Sequence, residues 1–118
     1  MAVRGLRRII VSVADRERAL ALYRDALGLA EKYSAGDMVV LAVADTGVEL
    51  LLHERPPTPG LAGVAASFLV SDVDEATAAA QKAGAQVVDA PADQPWGERQ
   101  SVLTDPDGHV ICLVAPTV

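Results

Sequence analysis

Residues 9–15, Ile9-Ile10-Val11-Ser12-Val13-Ala14-Asp15, and residues 65–72, Ala65-Ala66-Ser67-Phe68-Leu69-Val70-Ser71-Asp72, open two halves of one design. In each, a β-rich run leads into an aspartate suited to cap a helix, because its carboxylate accepts the free amide hydrogens of the first turn. Glu75, three residues after Asp72, completes a pattern similar to a capping box. Apolar residues then recur at helical spacing: Leu20, Tyr23 and Leu27 in the first half, Val73, Ala76, Ala80 and Ala83 in the second. Gly28 and Gly84 come next, as the residues that end each helix in a left-handed conformation.

The segments after the two helices also match. Residues 29–34, 38–43 and 47–53 read as three strands, and 85–90, 98–104 and 109–114 as three more. Asp105-Pro106-Asp107-Gly108 is a hairpin signal, since proline presets the first turn angle and glycine supplies the positive one. Arg55-Pro56-Pro57-Thr58-Pro59-Gly60 cannot donate a regular hydrogen-bond ladder and reads as a linker. The expectation is an α+β fold of two tandem βαβββ modules, forming a curved mixed sheet around a cleft with helices outside. Module 1 covers about 1–54, the linker 55–62 and module 2 about 63–118.

The 118 residues suffice for one domain, and 51% hydrophobic against 22% charged residues is a globular balance. A net charge of -6 opposes nucleic-acid binding, and the short cluster Arg4, Arg7 and Arg8 reads as strand decoration. The apolar stretch Ile9–Val13 is far too short to cross a bilayer or form a signal-peptide core, so no membrane partner and a cytoplasmic location are expected. The one cysteine, Cys112, excludes an internal disulfide. Abundant alanine and absent asparagine hint at a GC-rich bacterial source.

The order of these motifs resembles the vicinal-oxygen-chelate superfamily, which includes the glyoxalase, bleomycin-resistance and extradiol dioxygenase proteins. The likeness is carried by residues 13–29, with the ending Tyr23-Arg24-Asp25-Ala26-Leu27-Gly28, and by Phe68-Leu69-Val70-Ser71-Asp72-Val73-Asp74-Glu75-Ala76. Pro95-Trp96-Gly97-Glu98-Arg99 and Asp105-Pro106-Asp107-Gly108-His109-Val110-Ile111 resemble the closing segment. The resemblance implies a cleft with four metal-ligand positions drawn from His, Glu and Gln. Carried onto this chain, they fall on Arg8, Glu49, Ala65 and Cys112. Arginine has no lone pair to offer and alanine no donor, while a thiolate suits soft metals only. No metal and no cofactor are expected.

Arg8 and Glu49 are instead expected to form an ion pair that binds a polar ligand group; the plainer reading is a solvated surface pair. His53 shares a strand face with Glu49, and either contacts ligand or is simply exposed beside the linker. Trp96, beside Arg99, offers a flat face to an aromatic ligand or else covers a sheet end. Phe68 and Tyr33 are candidates for the pocket wall, with Phe68 alternatively lying under the second helix. His109 reads as a turn residue and Cys112 as a small buried hydrophobe, with a second option as ligand contact.

The favoured expectation is a metal-free binding protein of the drug-sequestering, antibiotic-resistance type, holding a small, partly apolar molecule. The resemblance implies a homodimer. The alternative is a lyase or isomerase with Glu49 as general base and Arg8 stabilising an enolate, with or without a metal recruited by His53 and Cys112.

Overall fold

The computed structural model describes residues 4, 6–60 and 64–117. The chain forms two compact units, Met1–Pro57 and Thr58–Val118. Each contains one βαβββ module with its own four-stranded mixed sheet, as the repeat predicts.

In the first unit, β1 (Arg8–Val13) leads to Asp15, whose Oδ1 accepts the Arg18 amide at 3.1 Å and starts α1 (Arg16–Leu20). The helix then widens into a π-helical stretch over Ala21–Ala26 and stops at Gly28, where φ is +80°. Sequence spacing foresaw one continuous helix. The π stretch escapes it because both helix types present Leu20, Leu22 and Tyr23 inward, and all three are buried. Strands β2 (Ala30–Ala35), β3 (Met38–Ala42) and β4 (Glu49–Glu54) complete the module. The sheet order is β1-β4-β3-β2, with β1 parallel to β4 and the other pairs antiparallel.

Alternation divides this sheet into two faces. Leu50 and Leu52 of β4 pair with Leu41 and Val39 of β3, and all four are buried with Leu20, Leu22 and Tyr23 of the helix. The opposite face carries Arg8, Glu49, Leu51 and His53. β4 begins at Glu49 rather than at residue 47. Val43 and Val48 instead close a tight loop (Val43 N to Val48 O, 3.0 Å) in which Ala44 takes φ +47°.

In the second unit, β5 (Ala66–Leu69) leads to Asp72, which caps α2 (Val73–Lys82) by accepting the Glu75 amide at 3.0 Å. Strands β6 (Gln86–Asp93), β7 (Glu98–Thr104) and β8 (Val110–Pro116) give the order β5-β8-β7-β6. β6 runs on through Pro91 because it is an edge strand, where a missing amide donor is tolerated, and two register shifts interrupt its pairing. Asp105 closes the β7–β8 turn by accepting the amides of Asp107 (3.0 Å) and His109 (2.8 Å). α2 packs on the face formed by Leu103, Ile111 and Leu113.

Candidate functional site

The face of the first sheet opposite its helix is ordered in rows that cross the strands. In the first, Arg8 of β1 pairs with Glu49 of β4, which pairs with Ala42 of β3. In the second, Ile10, Leu51, Val40 and Tyr33 stand in register across all four strands. In the third, Ser12, His53 and Met38 are in register. Successive rows are about 7 Å apart, twice the rise per residue. A charged row therefore borders an apolar one, with a polar row beyond it.

The charged row has a third member that sequence reasoning missed. Arg8 Nε and Nη2 both donate to Glu49 Oε1, at 3.0 and 2.8 Å, and Lys32 Nζ donates to Oε2 at 2.7 Å. Lys32 lies on β2, two strands from β4, a gap of about 10 Å. A bulge brings it there. Glu31 pairs with Leu41 and Tyr33 with Val40, which leaves Lys32 as the extra residue between them. At this level β3 carries only the methyl of Ala42, so the lysine stem can pass over it. In the sequence, an unbroken alternation would have set Lys32 and Tyr33 on opposite faces; no local signal marks the bulge.

Glu49 is 5% exposed, whereas Arg8 and Lys32 are 36% and 45% exposed. The hydrogen bond from Lys32, then that from Arg8, holds its carboxyl down at about 2, against the opposing effect of burial. The group is thus an ion at any physiological pH, with each oxygen engaged by a cation. The ion pair read from the sequence is present, and it is a triad rather than a surface pair. His53 shares this face, two rows from Glu49, and its Nε2 lies 3.3 Å from Asp37 Oδ2. Arg55 Nε donates to Ser12 Oγ at 2.7 Å at the same end.

The second unit distributes its sequence candidates differently. Cys112 pairs with Ser67 and Val102 on the face away from α2. It is partly accessible rather than buried, and burial, then the Asp89 charge, raises its thiol pKa. Phe68 pairs with Leu113 and so belongs to the α2 face, not to the face of Cys112. Arg99 also turns to the α2 side. It donates to both oxygens of Asp74 (2.7 and 3.1 Å) and to Asp93 Oδ1 (3.0 Å), bracing the first turn of α2 to β6 and β7. Trp96, in the β6–β7 turn, is 59% exposed and donates to Glu98 Oε1 at 2.8 Å. Trp96 and Arg99 are close in sequence yet hold different partners.

The donor set fits a divalent metal poorly. Arg8 stands beside Glu49 in the β1–β4 register, whereas in the β5–β8 register Cys112 stands beside Ser67, and Ala65 lies just before β5. In the first unit, the carboxylate at the candidate site has both oxygens committed to cations. In the second, a hydroxyl faces a thiol whose raised pKa keeps it protonated. No group of three or more His, Cys, Asp or Glu is arranged to hold a metal among the described residues. No helix there is long and apolar enough to cross a membrane.

Two βαβββ modules with these strand orders define a glyoxalase-type fold. The chain belongs to the Glyoxalase/Bleomycin resistance protein/Dioxygenase superfamily, whose profile matches residues 5–113. It is 36% identical over 103 residues to "Putative glyoxylase CFP32" of Mycobacterium bovis, a match covering 83% of this chain and 39% of that protein. The chain thus spans well under half the length of that relative. Among solved structures it is similar to TnmS3, an antibiotic binding protein from Streptomyces sp. CB03234, with 30% identity and a TM-score of 0.76 over 98% of each chain. A glyoxalase-related enzyme from Fulvimarina pelagi shares the fold at TM-score 0.83 and 19% identity, over 98% of this chain and 91% of that one.

Proposed function

We propose that this chain is a metal-free small-molecule-binding protein that holds a partly apolar ligand on the open face of its first sheet. The observation that carries the reading is the double commitment of Glu49, one oxygen to Arg8 and the other to Lys32. To bind a divalent ion, the carboxylate must give up at least one of these charge-assisted hydrogen bonds, and the arginine beside it contributes repulsion. In the adjoining row Ile10, Leu51 and Tyr33 supply apolar contact, while the fourth member, Val40, is buried. The likeness to TnmS3 supports a binding role of the antibiotic-sequestering kind. The proposed working form is a cytoplasmic homodimer, in which a second copy would cover exposed apolar residues such as Leu69 on the edge strand β5.

The rival reading, a lyase or isomerase with Glu49 as general base, draws on the glyoxylase name of the mycobacterial relative. A carboxylate held near 2 is a weak base at neutral pH, which favours binding over proton abstraction. The test is direct. Purified protein is incubated with excess nickel, zinc, manganese and ferrous iron, dialysed, and assayed for metal per chain. Near-zero occupancy is expected. One tightly held ion per chain, lost in Glu49→Ala, would overturn the metal-free reading.

A further inference from the structure

We propose that Arg8 and Lys32 are a recognition pair for an anionic oxygen group, a carboxylate, sulfonate or phenolate, carried by an aromatic or otherwise apolar molecule. This rests on the binding reading above and names the chemistry of the ligand. Charge comes first. Two cations share one carboxylate, which leaves a local excess of one positive charge in a chain whose formal net charge is -6. An anion approaching this triad meets a local charge of the sign that attracts it.

Donor geometry agrees. A guanidinium has five N–H donors and an ammonium three. Arg8 spends Nε and Nη2 on a single oxygen, Oε1, because Lys32 occupies Oε2. The Nη1 edge of Arg8 and two of the Lys32 hydrogens stay available among the described residues. Both cations are accessible while the carboxylate beneath them is 5% exposed. Glu49 is therefore a positioning residue: it fixes two flexible cationic side chains at one place, so their ordering entropy is lost before the ligand arrives.

The neighbouring row sets the rest of the ligand. Ile10 and Tyr33 are 57% and 52% exposed, and with half-buried Leu51 and buried Val40 between them they lie one row from Arg8 and Glu49. A molecule with its anionic oxygen at Arg8 and Lys32 would lay an apolar body across this row. A neutral molecule would gain only the second contact.

Two dyes separate these contributions: 1-anilinonaphthalene-8-sulfonate, and N-phenyl-1-naphthylamine, which has the same aromatic body without the sulfonate. Each is titrated by fluorescence into wild type, Arg8→Gln, Lys32→Gln and Lys32→Arg. The sulfonate should bind about tenfold more weakly to either glutamine variant, with recovery in Lys32→Arg, while the neutral dye changes less than about twofold. Wild type should also lose sulfonate affinity as potassium chloride is raised, with the neutral dye unaffected, a readout that needs no variant to fold. If both dyes bind alike and ignore the substitutions and salt, the anion site is overturned and the binding reading stands. If neither dye binds, the binding reading fails and the anion site with it.

Discussion

Lys32 and Glu49 stand on strands that are not neighbours, yet their charged ends meet at 2.7 Å across β3. The contact closes a buried carboxylate between two cations, and it exists because β2 carries one residue more than its partner needs. Removing members of this triad has unequal consequences. Glu49→Ala leaves Arg8 and Lys32 facing each other with nothing between them. Lys32→Gln leaves Glu49 still bonded twice to Arg8. Thermal melts at low ionic strength should therefore show a clearly larger drop in Tm for Glu49→Ala than for Lys32→Gln. Equal drops would mean that the triad does not act as a unit.

The same triad predicts a pH signature. Glu49 has its folded pKa lowered from 4.5 to about 2, so the folded state binds its proton more weakly than the unfolded chain does. Its contribution to stability is complete above about 4.5 and is lost as pH falls toward 2. Asp25 and Asp74, also lowered by arginine hydrogen bonds, lose stability in acid as well. The informative quantity is thus the Tm difference between wild type and Glu49→Gln. It should be constant from pH 7 to 5 and shrink steadily between pH 4.5 and 2. A difference that does not change over that acid range would show that Glu49 titrates as an ordinary carboxyl.

The repeat was legible because its markers are local. Asp15 and Asp72 cap by reaching three residues ahead, and Gly28 and Gly84 stop by their own backbone angles. Faces were half legible. Period-two alternation pairs Glu49 with His53 within β4, but it cannot say which face of a strand meets a helix. Arg99 therefore stood as a ligand contact and Phe68 as either pocket wall or helix-covered residue, and their register partners, Ala115 and Leu113, put both on the buried α2 side. Lys32 was illegible for another reason. A bulge is a property of two paired strands, and neither strand announces it alone.

Cys112 carries a prediction about reactivity. Burial and the Asp89 charge both disfavour its thiolate. At pH 7.5 its alkylation by iodoacetamide should be slow beside that of a free cysteine, although the side chain is partly accessible. Asp89→Asn removes the smaller cause and should quicken the reaction modestly, with desolvation still holding it below the free rate. Alkylation as fast as free cysteine in wild type would contradict the raised pKa and reopen Cys112 as a soft-metal donor.

Inside the second unit, Thr77 Oγ1 lies 2.6 Å from the Val73 carbonyl and 2.7 Å from Ser101 Oγ, with both side chains buried. A carbonyl oxygen only accepts, so the single Thr77 hydrogen goes to Val73 and Ser101 must donate to Thr77. This fixes an asymmetry. Ser101→Ala removes a donor and leaves Thr77 satisfied through Val73, a loss of about 0.5–1.5 kcal/mol. Thr77→Val strands the Ser101 hydroxyl on the covered face of β7 with no acceptor, which costs about 1–3 kcal/mol. In the double variant no hydroxyl is stranded, so its loss should be smaller than the sum of the two single losses. Urea denaturation of the four proteins measures all three quantities. Equal single losses that simply add would show that Ser101 finds another acceptor, and that this hydrogen bond does not tie α2 to its sheet.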